Sequence, residues 1–452
     1  MTENIQKMTE NVLRFLGDKK YAQIRFMLDR ENPMDIALIL QEVPEESLPV
    51  VYRLLRKELA AEAFAEMDPD LQEVLIHAFS DRELHEVLDE LYIDDMVDII
   101  EEMPANVVKR ILSQSEPQTR GRINEILHYP PDSAGSIMTI EYVSLKKTMT
   151  VADAFARIRA TGVDKETIYT CYVTDRNRHL EGMVTVKDLL LASYETPVGD
   201  IMQTRVISAT TIEDKEEVAN RLQKYDFMAM PVVDRENRLV GIVTFDDAMD
   251  VLQEENTEDI EKMAAITPTG RPYLRTGVFQ LYKNRIPWLL LLMISAAFTG
   301  KIIQIFESAL AAQVALTAFI PMLMDTGGNA GSQASVTIIR GLSLGEIQLR
   351  DALRIIWKEI RVSVLCGITL SVASFVKIML LDGVGFSVAL VVCLTLAFTV
   401  VIAKITGCTL PLLAKKIGFD PAVMASPFIT TIVDALSLMV YFTLASALLN
   451  LA

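Results

Sequence analysis

The chain has 452 residues, enough for several domains, and a formal net charge of −17 at pH 7. The charge is unevenly divided: residues 271–452 contain 14 Lys+Arg against 8 Asp+Glu, whereas residues 1–270 contain 29 against 52. Because phosphate binding needs basic residues, the acidic half argues against nucleic acid as a partner and favours a multivalent cation. A plain solvated surface is the alternative explanation.

The sequence also argues against several chemistries. The four cysteines form no CxxC pair, so neither a zinc site nor a disulfide framework is predicted. The first ten residues, MTENIQKMTE, are polar and carry both signs of charge, unlike a secretory signal. The sequence has no phosphate-binding GxxxxGK[ST] loop and no nucleophile–base constellation, so we expect neither an ATP-driven pump nor an enzyme.

Residues 1–131 read as an acidic, all-helical domain. Short amphipathic runs such as LQEVLIHAF are separated by similar breaks at 42–44, 66–68, 90–92 and 102–104. Recurrence of such breaks every 12 or 24 residues is typical of short helices stacked in a small superhelix.

Residues 132–256 contain an internal repeat. YVTDRNRHLEGMVTVKDLL at 172–190 aligns with PVVDRENRLVGIVTFDDAM at 231–249, an offset of 59 residues. Each copy reads as strand, turn, strand and helix. The pattern resembles a tandem pair of CBS domains, which implies an α/β disc with one domain at 132–197 and the other at 198–256. CBS pairs regulate many kinds of protein, so this resemblance indicates regulation without naming a function.

Residues 257–285 are expected to form a connecting helix, with ITPTGRP as a candidate break. Beyond them, residues 286–452 form the predicted membrane domain, in which five apolar stretches are each long enough to cross about 30 Å of hydrocarbon. The stretches lie near 286–306, 312–338, 360–381, 385–412 and 424–449. Basic residues concentrate in the loops on one side, so we expect a multi-pass protein with a cytoplasmic N-terminus and an extracellular C-terminus.

The second apolar stretch contains PMLMDTGGNAGSQ at 321–333, a polar and glycine-rich interruption. Irregular backbone is tolerated at membrane depth only where it is buried in protein or lines an aqueous cavity. We therefore expect a broken helix here, with oxygen ligands from Asp325 and Asn329 and close backbone approach at Gly328. The alternative is a tight helix–helix interface, because the glycines have small-xxx-small spacing.

The last apolar stretch places four polar residues on one helical face, namely Thr430, Asp434, Ser437 and Tyr441. A carboxylate at mid-membrane costs about 2.5–3.5 kcal/mol, so we expect Asp434 to face a pore and attract a cation. A buried ion pair with Lys301 or Lys404 is the alternative. Because only oxygen ligands are available, the ion should be hard; a largely hydrated Mg²⁺ fits well, and Ca²⁺, Mn²⁺ and Na⁺ stay open.

Acidic residues also cluster outside the membrane segments. The run at 246–261 has eight acidic residues and no basic one, and the run at 81–102 has ten against Arg82 alone. Four more lie at 214–226. Charges this dense repel one another, so divalent ions that bridge such faces would make the compact state depend on the ions. A solvated surface is again the alternative.

The order of these parts, together with PMLMDTGGNAGSQAS and DPAVMASPFITTIVDALSL, resembles the MgtE family of bacterial magnesium channels over nearly the whole chain. The resemblance implies a homodimer with its pore between the subunits and a hydrated Mg²⁺ held by Asp434. The expected pore site comprises Asp325, Gly328, Asn329, Thr430 and Asp434.

The same resemblance implies regulatory Mg²⁺ sites between the N-terminal domain, the CBS pair and the connecting "plug" helix. By matching motif, these sites comprise Asp214, Glu216, Asp226, Asp247, Asp250, Glu255, Glu258 and Asp259. Three further residues carry over by a looser alignment, namely Asp94, Asp95 and Asp98. CBS pairs can also hold adenine nucleotides such as ATP, and Thr185 and Asp188 fit a ribose-contacting position.

We therefore expect a multidomain protein: an all-α superhelical N-terminal domain, an α/β CBS pair, a plug helix and an all-α domain of five transmembrane helices. The expected function is magnesium uptake through a channel in the bacterial plasma membrane, gated by cytoplasmic Mg²⁺. One rival is a transporter of another divalent cation, such as Mn²⁺, Co²⁺ or Ca²⁺. The other is a membrane-anchored CBS nucleotide sensor, which would carry no ion flux.

Overall fold

The computed structural model describes residues 3–270, 273–274, 276–424 and 426–449. The chain divides into two compact units, Met1–Leu252 and Gln253–Ala452, and the division falls inside one helix. The first unit contains a helical N-terminal domain and an α/β pair, and the second unit is helical. The multidomain architecture expected from the sequence is therefore confirmed.

The N-terminal domain consists of short helices, whose boundaries follow local sequence chemistry. Asn32 accepts a hydrogen bond from the Met34 N–H at the start of one helix, and Ser80 forms a capping box with Glu83 at the start of another. The buried faces of the helices join into one apolar core, so tertiary packing stabilises helices too short to persist alone. The helices are α1 (Glu3–Gly17), α2 (Tyr21–Leu28), α3 (Pro33–Gln41), α4 (Leu48–Tyr52), α5 (Lys57–Ala65), α6 (Pro69–Ala78), α7 (Asp81–Leu88), α8 (Ile93–Glu102), α9 (Ala105–Gln114) and α10 (Pro117–Ile126).

The internal repeat folds as two three-stranded sheets of the same topology. In each sheet the first strand pairs parallel with the second, and the second pairs antiparallel with the third. The strand pairing shifts register after Val173 in the first sheet and after the equivalent residue, Val232, in the second. The two copies therefore share even this irregularity. The elements are β1 (Ser144–Leu145), α11 (Val151–Thr161), β2 (Thr170–Thr174), β3 (Leu180–Thr185), α12 (Val186–Leu191), α13 (Val198–Ile201), β4 (Ala209–Thr210), α14 (Lys215–Lys224), β5 (Ala229–Val233), β6 (Leu239–Thr244) and α15 (Phe245–Met263).

In each copy of the repeat, one glycine lies against the backbone of the other copy. A Cβ at Gly182 would lie 2.9 Å from the Gln203 carbonyl oxygen, and a Cβ at Gly241 would lie 2.7 Å from that of Thr139. Each facing segment belongs to the other copy, and isolated bridges join it to the adjacent strand. Only glycine permits these backbone approaches, so the pair packs as one body.

The second unit contains five helices of 24 residues or more. In the described part of the chain, four of these segments are long and apolar enough to cross a membrane; α18, with its polar motif, is the fifth long helix. The expected helical C-terminal domain with several apolar helices is confirmed, and four of the five expected transmembrane helices meet the length and hydropathy of a membrane span among the described residues. The helices are α16 (Val278–Ile305), the short α17 (Glu307–Ala312), α18 (Ile320–Ser343), α19 (Ala352–Lys377), α20 (Phe386–Ile417) and α21 (Ser426–Leu449).

The helix that carries the glycine-rich motif corrects the sequence interpretation. α18 begins at Ile320 rather than near 312, because Val314–Phe319 forms a 3₁₀ helix. PMLMDTGGNAGSQ is continuous α-helix, and Pro321 stands in the first turn, where its missing N–H leaves no internal hydrogen bond unmade. The expectation of a broken helix at this motif was therefore wrong.

The connecting segment 257–285 is also not one helix. α15 ends at Met263, and α16 begins at Val278. Between them, the Thr267 N–H donates to the Asn284 carbonyl oxygen at 3.0 Å, and the Asn284 amide donates back to the Thr267 carbonyl at 3.0 Å. The candidate break ITPTGRP falls in this non-helical stretch, although its residues 271–272 lie outside the described part.

Close glycine contacts organise the membrane helices around α20. The most apolar window of α20 is 56% buried, against 6% for α16 and 11% for α19. A Cβ at Gly407 on α20 would overlap the carbonyl oxygen of Gly331 on α18. The glycines of the motif therefore serve a tight helix–helix interface, the alternative that their spacing suggested.

Replacing Gly407 by alanine should destabilise this interface. The new methyl group would overlap backbone that cannot rotate away, and overpacking of this kind costs about 1–3 kcal/mol. We expect Gly407→Ala to lower the unfolding temperature of the detergent-solubilised protein. Gly300→Ala is the matched control, because a Cβ at Gly300 meets nothing within 4 Å. Equal unfolding temperatures for the two variants would show that the contact is not close in the folded protein.

Candidate cation-binding sites

The motif helix α18 has two faces of opposite character. Asp325, Asn329 and Gln333 recur at every fourth position and are exposed on the single chain. The opposite face buries Gly327 and Gly331 against α20 and α21. The glycines thus bring α18 close to its neighbours, and the polar side chains form an exposed stripe.

Asp434 lies beside this stripe on α21. A Cβ at Gly328 would lie 2.9 Å from Thr430 Cγ2, so α18 and α21 are in close contact one turn away from Asp434. Asp325 is near enough for its charge to act on Asp434. The Oδ1 atom of Asp434 is buried and has no hydrogen-bond partner among the described residues. The fold therefore brings together the pore residues expected from two separate sequence motifs.

The alternative of an ion pair between Asp434 and Lys404 was wrong. Lys404 instead pairs with Glu359 on α19, at 3.8 Å between Nζ and Oε2. Both side chains are largely buried, at 8% and 15% exposure. Lys301, the other candidate, is exposed on α16. Glu359 thus neutralises the buried charge of Lys404. Neither lysine is the partner of the Asp434 carboxylate.

A second acidic group lies where α8 of the N-terminal domain meets the CBS pair. Asp94 is only 8% exposed, and its Oδ1 has no hydrogen-bond partner in the described part of the chain. Burial, and then the charge of Asp247, raises the pKa of Asp94 well above its usual range. The same two causes raise the pKa of Asp95 to about 6. The fold therefore holds like charges together at this contact.

Glu166 belongs to the same group, although the sequence analysis missed it. Burial, followed by the charges of Asp246 and Asp247, raises the pKa of Glu166 to about 8. Its Oε2 atom is buried, without a hydrogen-bond partner among the described residues. Glu166 follows a short 3₁₀ helix and is not part of an acidic run, so no signal along the chain could have singled it out.

The CBS residues expected to bind ligands also cap helices. Thr185 donates to Asp188 Oδ2 at 2.6 Å, and the Asp188 N–H donates back to the Thr185 hydroxyl at 3.1 Å. In the second copy, Thr244 donates to Asp247 at the equivalent position. Burial nevertheless raises the pKa of Asp247 to about 6, because this hydrogen bond only partly offsets it. The cap accounts for Thr185 and Asp188 without a nucleotide.

The acidic residues of α14 lie at its two ends. Asp214 caps the helix by accepting hydrogen bonds from the backbone N–H groups of Glu216 and Glu217. Asp226 follows the helix with a positive φ of 55°. Asp214 is thus needed for the helix whether or not a metal ion binds there.

The remaining expected residues lie along α8 and α15. Asp98 is on α8, and Glu255 is on α15. Asp259 accepts a hydrogen bond from the Ser343 hydroxyl at 2.9 Å, next to the end of α18. Glu258 pairs with Lys262 at 2.5 Å, and the same ammonium reaches Asp420 at 2.7 Å.

Lys262 therefore joins the end of α15 to the loop between α20 and α21. Burial disfavours its charged form, but the hydrogen bonds to Asp420 and Glu258 outweigh burial and raise the pKa of Lys262. In the part of the chain that the structure describes, no group of three or more His, Cys, Asp or Glu side chains is arranged to hold a metal ion. The expected sites are thus not closed coordination shells within a single chain.

Comparison with known proteins agrees with the order of these parts. The MgtE model, described as a divalent cation transporter, matches residues 320–444, and the MgtE intracellular N domain matches 31–132. The CBS domain matches 134–195 and 198–254. The magnesium transporter MgtE of Thermus thermophilus is 36% identical over 455 residues, covering 98% of this chain and 99% of that protein. The chain belongs to the MgtE family.

Other MgtE proteins are similar to this one over the same length. The magnesium transporter MgtE of Bacillus subtilis is 34% identical, with 99% of both chains covered. A crystal structure of the cytosolic domain of the Mg²⁺ channel MgtE in complex with ATP has a TM-score of 0.51 and 35% identity, covering 54% of this chain and 99% of that one. The soluble part of a magnesium transporter has a TM-score of 0.52 and 30% identity, with 56% and 99% covered. The expected family is therefore confirmed, and with it a multi-pass membrane transporter.

The raised carboxyl pKa values make the contact between the N-terminal domain and the CBS pair depend on pH. Folding raises the pKa of Asp95 and Asp247 from 3.8 to about 6, and that of Glu166 from 4.5 to about 8. The protonated forms favour the folded contact, so its stability is complete below about pH 4 and is lost as the pH rises through 6 to 8. Without divalent ions, we expect stronger protection from protease at pH 6 than at pH 8.5.

Glu166→Gln should weaken this pH dependence by increasing protection at pH 8.5, because the amide needs no proton to remain neutral. Glu195→Gln, at an exposed position in the same CBS copy, is the control and should leave the profile unchanged. The measurement is limited proteolysis of the full-length protein in EDTA. A wild-type profile that is flat between these pH values would contradict the argument.

Proposed function

We propose that this protein is a Mg²⁺-selective channel for magnesium uptake across the bacterial plasma membrane, gated by Mg²⁺ bound to its cytoplasmic part. The observation that carries the proposal is the exposed polar stripe of α18 beside Asp434. Its relatives bear the name of magnesium transporter over the full length of the chain. No enzymatic step is required for ions to move down their electrochemical gradient.

The stripe supports a homodimer with the pore between its subunits. Hydrocarbon offers no hydrogen bonds, so exposed polar side chains at membrane depth must face water or another protein surface. On a single chain, Asp325 and Asn329 point away from the helix bundle. A second copy placed against this face would enclose both stripes and form an aqueous path lined by carboxylates and amides.

The residues beside the stripe suit a hydrated Mg²⁺. Asp434 supplies the main negative charge, while Asp325, Asn329 and Thr430 offer further oxygen atoms to the water shell of the ion. Gly328 lets α18 approach Thr430, so the helices form this wall without an intervening side chain. Magnesium releases its water reluctantly, so contact through water needs fewer protein ligands than a closed coordination shell.

The expected orientation follows from the charge of the loops. Arg340 lies in the last turn of α18, and Arg350 lies in the short 3₁₀ helix Leu349–Asp351 that precedes α19. The first turns of α19 contain Arg354, Lys358 and Arg361. We place this side, with the N-terminal domain, in the cytoplasm, and the C-terminus outside.

Asp434→Asn tests the pore assignment. The amide keeps the shape of the side chain and removes its charge, so Mg²⁺ uptake into liposomes should fall by more than about tenfold while the protein stays folded. Asp382→Asn is the matched control, because Asp382 pairs with Lys377 at the end of α19 and should not affect uptake. Wild-type uptake by Asp434→Asn would remove Asp434 from the pore. Faster wild-type uptake of Mn²⁺, Co²⁺ or Ca²⁺ than of Mg²⁺ would favour a transporter of another divalent cation.

Gating is proposed to use the acidic groups outside the membrane helices. Burial and the charges of neighbouring carboxylates raise the pKa values of Asp94, Asp95 and Asp247. A divalent cation removes this repulsion and binds the ionised carboxylates, so it favours the compact form. Asp259 contacts Ser343 at the end of α18, and Lys262 contacts Asp420 in the loop between α20 and α21. Movement of α15 would therefore be transmitted to the ends of the membrane helices.

Linkage sets the energy required of these sites. Ions can close the channel only if they bind the compact form more tightly than the open form. Changing the ratio of compact to open channels from 1:99 to 99:1 needs about 5.5 kcal/mol of difference in binding free energy between the two forms. Several weak carboxylate sites can supply that free energy together, which agrees with the number of expected residues and with their dispersion along α8, α14 and α15.

Removing two of these charges should reduce the response to Mg²⁺. We expect the Asp247→Asn/Asp250→Asn variant to gain little protease protection as Mg²⁺ rises, whereas the wild type should become markedly protected. The control variant, Glu45→Gln/Glu46→Gln, removes the same charge from exposed positions in the N-terminal domain and should behave as the wild type. Identical protection curves for all three proteins would show that these carboxylates are a solvated surface and no sensor.

We also propose that the CBS pair binds ATP. The support is the likeness to the cytosolic domain solved with ATP, at 35% identity. Thr185 and Asp188 are the residues proposed to contact the ribose, in addition to their role in capping α12.

A further inference from the structure

Three buried oxygen atoms belong to the two helices, α20 and α21, that pack against α18. They are Thr399 Oγ1 on α20, and Asp434 Oδ1 and Ser437 Oγ on α21, and none has a hydrogen-bond partner among the described residues. Thr399 is 0% exposed and Ser437 is 1% exposed. Buried polar groups are nearly always satisfied, so three orphaned oxygens in one region require an explanation.

Two of these side chains, Thr399 and Ser437, meet across one glycine. A Cβ at Gly327 would lie 2.8 Å from Thr399 Cγ2 and 3.1 Å from Ser437 Oγ, so these two residues are neighbours across the glycine. Asp434 precedes Ser437 by three positions on the same helix and therefore shares its face. The sequence analysis placed Ser437 on this polar face, but it had no reason to include Thr399.

The two hydroxyl groups do not form the local hydrogen bond that other hydroxyls in this unit form. Threonine in a helix commonly donates to the carbonyl four residues earlier. In the membrane helices this bond is present at Thr337, Thr369, Thr395, Thr409, Thr431 and Thr443. No such bond appears at Thr399 or Ser437, so their hydroxyls are not committed to the helix backbone.

We propose that Thr399 and Ser437 are positioning residues for the pore: through water held between them, they hydrogen-bond to the buried oxygen of Asp434 and orient its carboxylate. A carboxylate accepts hydrogen bonds only, and a hydroxyl or a water molecule can donate one. A polar site with three partners suits a buried water. The proposal rests on the proposed pore role of Asp434 and assigns functions to two residues outside the stripe.

Orientation of Asp434 has a definite consequence for the cation. When Oδ1 is held on the protein side, the other oxygen is directed to the water shell of Mg²⁺, much as outer partners orient metal ligands. Without the hydroxyls the carboxylate would rotate freely, and the field at the ion would weaken. The half-saturating Mg²⁺ concentration should then rise more than the maximal uptake rate falls.

The test is Mg²⁺ uptake by the full-length protein in liposomes as a function of Mg²⁺ concentration. Thr399→Val keeps the volume and removes the hydroxyl, and we expect the half-saturating concentration to rise about tenfold, the value of one hydrogen bond to a charged group. Thr399→Ser restores the hydroxyl and should return the concentration close to that of the wild type. Ser437→Ala should act in the same direction, and the double variant should lose less than the product of the single effects.

Thr395→Val is the matched control, because Thr395 is equally buried one turn away and donates to the Val391 carbonyl. If Thr399→Val does not fold, as judged by its elution and unfolding temperature, Ser437→Ala alone decides the test. An unchanged half-saturating concentration in Thr399→Val and Ser437→Ala, or equal losses in Thr399→Val and Thr399→Ser, would overturn the positioning role. Failure of the pore assignment itself would look different, because Asp434→Asn would then retain uptake.

Discussion

The membrane unit depends on one constraint: polar groups placed in hydrocarbon must find partners, because lipid supplies none. The sequence places a carboxylate on α21 and a stripe of amides and carboxylate on α18, within otherwise apolar segments. Glycines on the opposite face of α18 allow contact with α20 and α21 at backbone distance. Close packing on one side thus directs the polar groups to the other side, where water and the second subunit of the proposed homodimer would satisfy them.

In the first unit, by contrast, the polar groups are buried beside one another. There, the fold buries several carboxylates next to one another, and repulsion raises their pKa values. A contact that is unfavourable to its own charges cannot be a simple stabilising interface. Under the proposed gating, binding of a proton or a divalent cation removes this repulsion and stabilises the contact.

The segment that connects the CBS pair to the membrane helices is not one continuous helix. α15 follows the last strand of the second CBS sheet and ends where Lys262 bridges two carboxylates. In the stretch after α15, Thr267 forms reciprocal hydrogen bonds with Asn284 of α16. Lys262 supplies a fixed positive charge at a position where the family resemblance implied a metal ligand, Glu258. Part of the contact with the membrane helices is therefore independent of bound ions.

The order of the domains, most of their elements and the family could be predicted from the sequence, because apolar length, strand–turn repeats and polar residues inside apolar segments are local signals. Asp434 and the α18 motif were found in this way. Only the folded structure shows that the motif is a continuous helix, that Lys404 pairs with Glu359, that Glu166 lies near Asp246 and Asp247, and that Thr399 and Ser437 meet across Gly327. Each of these depends on contacts between residues far apart along the chain. Periodicity shows which face of a helix is polar, but it does not specify which residues the fold places against that face.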